Sequence, residues 1–433
     1  MLCIGVFIVR MYKNVFRMLI AAFFIFSATC FNSAASQNGQ KDGSANDLPE
    51  TTVSAKNGQY LATIGNCMAC HTAKNGAAFA GGTPFYTDFG VIYSTNITPD
   101  VNAGIGTWSE KQFIRAMHEG ISPNGINLYP AFPYPSFTKV LEDDIKDIFA
   151  FLKTVPASSH VPPENEMRFP FDQRVLMRIW NWLFVQKERY VFDKNQSATW
   201  NRGKYLIDGL GHCGTCHTPR NLLGGKKNDL ALSGGSYQDL VKDKTYRPWS
   251  AVNLTPSADG LGAWSEQDLV DYLSTGHSAR AGTFGPMNEV IKLSTSQATD
   301  TDISAMANYL KNAESIQRSS RHTMVPEKRR AADILYTVHC GTCHLPTGLG
   351  YPSLGSPLAG SSIVQAEDPS SLINVIIYGA AIFLPAPPAA WKSMEAFGNK
   401  LDDNEIALIS TYLRSSWGNL GSAVSDADVR KQR

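Results

Sequence analysis

The sequence has little excess charge and little cysteine. Lys and Arg number 39 against 38 Asp and Glu in 433 residues, a formal net charge of +1. A chain that grips nucleic acid carries a concentrated basic face, so no nucleic-acid partner is expected. Strand signals are scarce. No nucleophile–base pair or phosphate loop stands out, and no substrate chemistry of the chain's own is expected. Beyond the N-terminus no apolar run approaches the roughly 20 residues of a membrane span. Hydrophobic residues make up 43% and charged residues 18%, which leaves a globular chain long enough for two to four domains.

The first 36 residues read as a signal peptide. Arg10, Lys13 and Arg17 form its basic region, "MLIAAFFIF" (18–26) its apolar core, and "FNSAAS" (31–36) its small-residue end, with cleavage expected near Ala35. A better-formed signal starts at Met11, which offers an alternative start of translation. "SAT" before Cys30 is a poor lipoprotein signal. The mature chain is therefore expected in the periplasm, either soluble or held at the membrane by a partner.

Only eight cysteines occur, and Cys3 and Cys30 fall in the signal. The other six form three copies of one pattern: "CMACH" (67–71), "CGTCH" (213–217) and "CGTCH" (340–344). A zinc site usually needs two C-x-x-C pairs brought together, and three units do not pair evenly. A redox dithiol has no need of a histidine after each second cysteine. Covalent attachment of haem c does use this pattern. The expected cofactors are thus three covalently bound haems, clamped by Cys67 and Cys70, Cys213 and Cys216, and Cys340 and Cys343. His71, His217 and His344 are the expected proximal iron ligands.

The surroundings repeat too. "NITPDVNAGIGTWSEKQFIRAM" (96–117) matches "NLTPSADGLGAWSEQDLVDYL" (253–273) at Asn96/Asn253, Thr98/Thr255, Pro99/Pro256, Gly106/Gly262 and Trp108/Trp264. Ser109 with Gln112 fits a helix capping box, and Ser265 with Asp268 a weaker one. Helical periodicity leads into each motif and closes each unit at 141–154, 300–313 and 401–416. Phe151, Tyr309 and Tyr412 are expected to pack where the two end helices cross. Gly- and Pro-rich stretches such as "LYPAFPYPSF" and "FLPAPPAAW" suit loops around a flat cofactor. The expected fold is all-α: three tandem class I cytochrome c-like helical domains at 54–157, 197–313 and 325–420. Residues 158–196 form a linker whose apolar stretch 174–192 either packs across a domain interface or docks a partner or the membrane.

A methionine usually occupies the far side of an electron-carrying haem c. Met287 and Met394 stand in loops before the closing helices and are the expected distal ligands. In the first unit Phe132 takes that place, and a phenyl ring cannot bind iron. Met68 lies in the attachment loop on the proximal side, Met117 on a helix, and His118 beside it is expected to face solvent. The first haem is left five-coordinate, or bound by Met117, His118 or another group.

Taken in order, "CMACH", "NITPD", "GIGTWSEKQF", "LYPAFPYPSF", "FPF", "WNRGKYLIDGLGHCGTCHTPRN", "GPM", "CGTCH" and "YLRSSWGN" resemble the three-haem cytochrome c subunit of membrane-bound bacterial dehydrogenases of the alcohol, gluconate, sorbitol and aldehyde type. The resemblance spans about residues 54 to 420. It implies an electron-transfer subunit of an oxidoreductase complex. Electrons would come from a catalytic subunit carrying a flavin, quinone or molybdenum cofactor and acting on CH–OH or aldehyde donors. They would pass to ubiquinone in the cytoplasmic membrane. The first-unit methionine of many members is absent here. The polar tail "GSAVSDADVRKQR" does not read as a membrane anchor. Two other roles stay open: a haem enzyme using an open first haem on a small molecule such as peroxide, and a soluble relay to a terminal oxidase.

Overall fold

Each C-x-x-C-H motif follows a long helix that is crossed by a second helix from later in the chain. The computed structural model describes residues 50–242, 245–351, 354–380 and 393–433. The signal segment 1–36 and the whole "FLPAPPAAW" stretch lie outside the described residues.

In the first unit, α1 (Glu50–Ile64) leads into α2 (Cys67–His71), the motif itself. The hairpin β1 (Pro84–Thr87) and β2 (Gly90–Tyr93) follows, then α3 (Glu110–Glu119), α4 (Tyr134–Phe137) and α5 (Glu142–Leu152). α5 crosses α1. A Cβ on Gly58 would lie 1.8 Å from the Asp147 carbonyl, so the crossing needs glycine there. Next come β3 (Glu166–Met167) and α6 (Leu176–Phe184). β3 pairs antiparallel with β2, giving a sheet of order β1-β2-β3.

The second unit starts with α7 (Ala198–Tyr205), a π turn (Leu206–Leu210) and the motif turn α8 (Gly214–His217). β4 (Gly235–Lys242), β5 (Thr245–Ala251), α9 (Glu266–Thr275), α10 (Met287–Leu293) and α11 (Asp300–Lys311) complete it. α11 crosses α7, where a Cβ on Gly203 would lie 1.9 Å from the Ala305 carbonyl. Gly58 precedes its first motif cysteine by nine residues and Gly203 by ten. The π turn absorbs the extra residue through the Gly211 N–H bond to the Leu206 carbonyl.

The third unit holds α12 (Pro326–His339), the motif turn α13 (Gly341–His344), α14 (Ser362–Gln365), α15 (Ser370–Tyr378), α16 (Asp403–Ser415) and α17 (Asp426–Arg430). α16 crosses α12. Tyr412 stacks at 5.4 Å on Tyr336, Tyr309 meets Trp200 edge-on at 5.2 Å, and Phe151 meets Phe79 at 5.9 Å. Tyr309 and Tyr412 pack at the helix crossings as expected, whereas Phe151 meets Phe79 of the loop after the first motif. Both anticipated capping boxes form, and the Ser265–Asp268 box is as complete as Ser109–Gln112.

Three expectations need correction. The core is helical, but two antiparallel sheets are present, so all-α does not hold throughout. Their strands run only two to eight residues and sit among Gly, Pro and Thr, which hides the period-two signal. Residues 158–196 are more than a linker, because β3 extends the first sheet and α6 packs on Tyr129 and Tyr134 through Met177 and Trp180. His118 is 2% exposed, not solvent-facing, and its Nε2 donates to the Val140 carbonyl at 2.9 Å.

The cores are unequally shared. One hydrophobic cluster runs from Leu61 and Ile148 through Leu206 and Leu210 to Ile303 and Leu310, joining the first and second helix pairs. The third pair has its own cluster around Tyr336, Ile373 and Ile406. Arg414, fully buried, donates to the Val364, Ala366 and Ser422 carbonyls. The tail folds back there, with Arg433 bonded to Asp403 and Val429 fully buried.

Candidate functional site

The motif turns present the same chemistry three times. His71 Nδ1 lies 2.7 Å from the Thr95 carbonyl, His217 Nδ1 2.7 Å from that of Val252, and His344 Nδ1 2.8 Å from that of Ser356. A carbonyl can only accept, so each Nδ1 carries the proton and each Nε2 is left with a lone pair. Burial lowers the pKa of all three rings, which favours the neutral, ligating form. The six thiols are unpaired and half-buried. Burial pushes Cys67, Cys213 and Cys340 up to about 12. Among the described residues no group of three or more His, Cys, Asp and Glu side chains could hold a metal ion by itself.

The backbone fixes each histidine twice. Gly81, Gly234 and Gly350 have φ of +73°, +102° and +71° and donate their N–H groups to the carbonyls of His71, His217 and His344. The left-handed backbone explains the glycine at each place. The repeated asparagines brace the histidine acceptors. Thr95 precedes Asn96 and Val252 precedes Asn253. Asn96 Oδ1 accepts from the Thr98 N–H and hydroxyl, while its Nδ2 donates to the Ser158 carbonyl. Asn253 does the same with Thr255 and Ile316. Both asparagines are buried. The repeat was visible in sequence, but its job was not. The third unit lacks the asparagine and uses Asn419 of "YLRSSWGN", which donates to the Leu358 carbonyl two residues beyond Ser356.

On the distal side, Gly120 and Gly276 cap α3 and α9. The Gly120 carbonyl accepts from Leu128 N–H and the Gly276 carbonyl from Thr283 N–H, both at 2.7 Å. Phe132 stands four residues after Leu128 and Met287 four after Thr283, so the two positions correspond in space as in sequence. Met287 begins α10, half-buried against the shared core. Met394 is held by paired backbone hydrogen bonds to Ala380 and packs on the third core. Met68 is 38% exposed, and Met117 is buried in the core.

The first two sites are neighbours. α10 packs on α2, and His212, beside Cys213, bonds through Nε2 to the Gly65 carbonyl at 3.3 Å. α6 has two faces. Met177 and Trp180 point inward, with Trp180 Nε1 bonded to the Leu223 carbonyl. Trp182 is 81% exposed, and Val175, Ile179 and Leu183 are exposed along the same stripe. No helix of the described residues is long and apolar enough to cross a membrane.

Two thiols and an imidazole with a free Nε2 in one helical turn are a donor set that fits haem c. The fold and these turns define a c-type cytochrome. The model for the cytochrome c family matches residues 55–156, and that for cytochrome C oxidase, cbb3-type, subunit III matches 327–413. The chain is 36% identical to the cytochrome c subunit of alcohol dehydrogenase (quinone) of Gluconobacter oxydans over 90% of this chain and 84% of that one. It is 35% identical to the gluconate 2-dehydrogenase cytochrome c subunit of Pantoea cypripedii, covering 90% and 91%. It is 39% identical to a nicotinate dehydrogenase subunit of Pseudomonas putida over 82% of this chain, but spans only 30% of that longer protein. The chain belongs to the family of cytochrome c subunits of alcohol and gluconate dehydrogenases.

Proposed function

We propose that this chain is a periplasmic tri-haem electron-transfer subunit, built of three tandem cytochrome c domains. It would carry electrons from a dehydrogenase catalytic subunit with a flavin, quinone or molybdenum cofactor to ubiquinone at the cytoplasmic membrane. The observation that carries it is the threefold Nδ1–carbonyl geometry at C-x-x-C-H. Bound haem c supplies a one-electron iron couple. Cys67, Cys70, Cys213, Cys216, Cys340 and Cys343 hold the haems through thioethers, and His71, His217 and His344 present Nε2. Met287 and Met394 offer soft thioethers that favour the reduced state. The contact of α10 with α2 supports fast exchange between the first two sites. The relatives' names support a dehydrogenase partner, and a quinone acceptor is named for one of them.

The exposed α6 stripe is the surface we assign to membrane contact. Its apolar side chains with Arg178 match the boundary between acyl chains and anionic headgroups. Replacing Ile179 and Trp182 by serine should cut co-sedimentation with phosphatidylglycerol vesicles roughly tenfold or more. Equal binding by the variant would remove this surface from the reading.

The whole reading is tested by tagging the chain and isolating it from membranes of its native host. A co-purifying dehydrogenase whose substrate reduces the haem bands is expected, and it would name the substrate. A chain that emerges alone and is reduced by no alcohol, sugar acid or aldehyde would shift the assignment to a free relay.

A further inference from the structure

Resting on the haem reading above, we propose that the first site leaves its iron without a protein ligand on the distal side and binds a neutral diatomic molecule of the carbon monoxide or nitric oxide kind.

Phe132 occupies the position of Met287, with the same capping glycine, the same carbonyl bond and the same four-residue step. Its ring stands 5.5 Å from that of Phe137 and 6.4 Å from that of Tyr134, wedged among aromatics. Both neighbours on α3 are held by other contacts. Met117 is buried in the shared core, and His118 gives its Nε2 to Val140. Met167 and Met177 belong to the cluster under α6, on whose edge Phe132 lies. The surroundings of Phe132 are apolar, and the Tyr134 hydroxyl is held by Asn181 Oδ1 at 2.6 Å. An anion placed there would lose its hydration without a replacement donor, whereas a neutral diatomic loses little. The ligand class follows from that difference.

The test uses the full haem-loaded chain and counts haem per chain alongside carbon monoxide bound to the reduced protein. The expected result is about one carbon monoxide per chain carrying three haems. Phe132→Met should abolish that binding and add a methionine-to-ferric-iron charge-transfer band. Met287→Phe should raise binding to about two per chain. Unchanged spectra of the other two haems report that each variant is folded. No carbon monoxide bound by wild-type protein with three haems, or binding unaffected by both exchanges, overturns the proposal alone. Fewer than three haems per chain overturns the haem reading and this proposal with it.

Discussion

His71, His217 and His344 are each held by two main-chain contacts, a carbonyl at Nδ1 and a glycine N–H at their own carbonyl. Side-chain substitution at the acceptor leaves a carbonyl in place, so the sensitive residue is the glycine. At Gly81 a Cβ would lie 2.5 Å from the Thr95 carbonyl that orients His71. The left-handed backbone there adds about 1–2 kcal/mol for any other L residue. Gly81→Ala should therefore lower stability by at least that amount and disturb the first site alone. Denaturation together with haem spectra would show it. A variant as stable as wild type, with an unaltered first haem, would mean that the loop yields freely.

At the scale of elements, the helix crossings decide what sequence is tolerated. Alanine in place of a helical glycine normally gains about 1 kcal/mol. At Gly58 and Gly203 the added methyl would press on carbonyls below 2 Å, far inside the 3.0 Å limit of real Cβ contacts. Overpacking of this kind costs about 1–3 kcal/mol, so the clash outweighs propensity. Gly58→Ala and Gly203→Ala should both lower the thermal midpoint. Gly209→Ala in the π turn meets only ordinary contacts, the nearest at 3.6 Å, and should be neutral or stabilising. The same melting series checks all three.

Over the whole molecule, the first two helix pairs share one core and the third has its own. Arg202 donates from Nε and a terminal nitrogen to Asp302 at 2.7 and 2.8 Å, and Tyr60 of the first pair adds its hydroxyl at 2.6 Å. Burial pushes the Asp302 carboxyl up, but the bonds from Arg202 and Tyr60 outweigh it and hold it below the ordinary value of 3.8. A lowered folded pKa contributes stability that is present above the unfolded value and lost as pH falls through the folded one. Asp302→Asn should cost about 1–3 kcal/mol near neutral pH and flatten the loss of stability below about pH 4. Urea unfolding across that range measures it. An unchanged acid limb would place the acid sensitivity elsewhere.

Cofactor chemistry was legible in the chain because C-x-x-C-H is local: five consecutive residues make one helical turn whatever surrounds it. The end helices were legible too, since their 3.6-residue period depends on near neighbours, as do the caps of α3 and α9 at Ser109 and Ser265. The repeat of Asn96 and Asn253 announced that something was being held, without saying what. Only the folded chain revealed that these asparagines brace the histidines' acceptors, because the bonds run to Ser158 and Ile316, some sixty residues away. The same holds for His118. Its helix position alone allowed solvent, and burial followed from the return of Val140 beside it. Sheet pairing, the shared core of the first two pairs and the two-faced packing of α6 also required distant segments to meet. Local pattern determined which residues can make haem sites, and tertiary contact decided which nitrogen each histidine keeps free and which of the sites lie side by side.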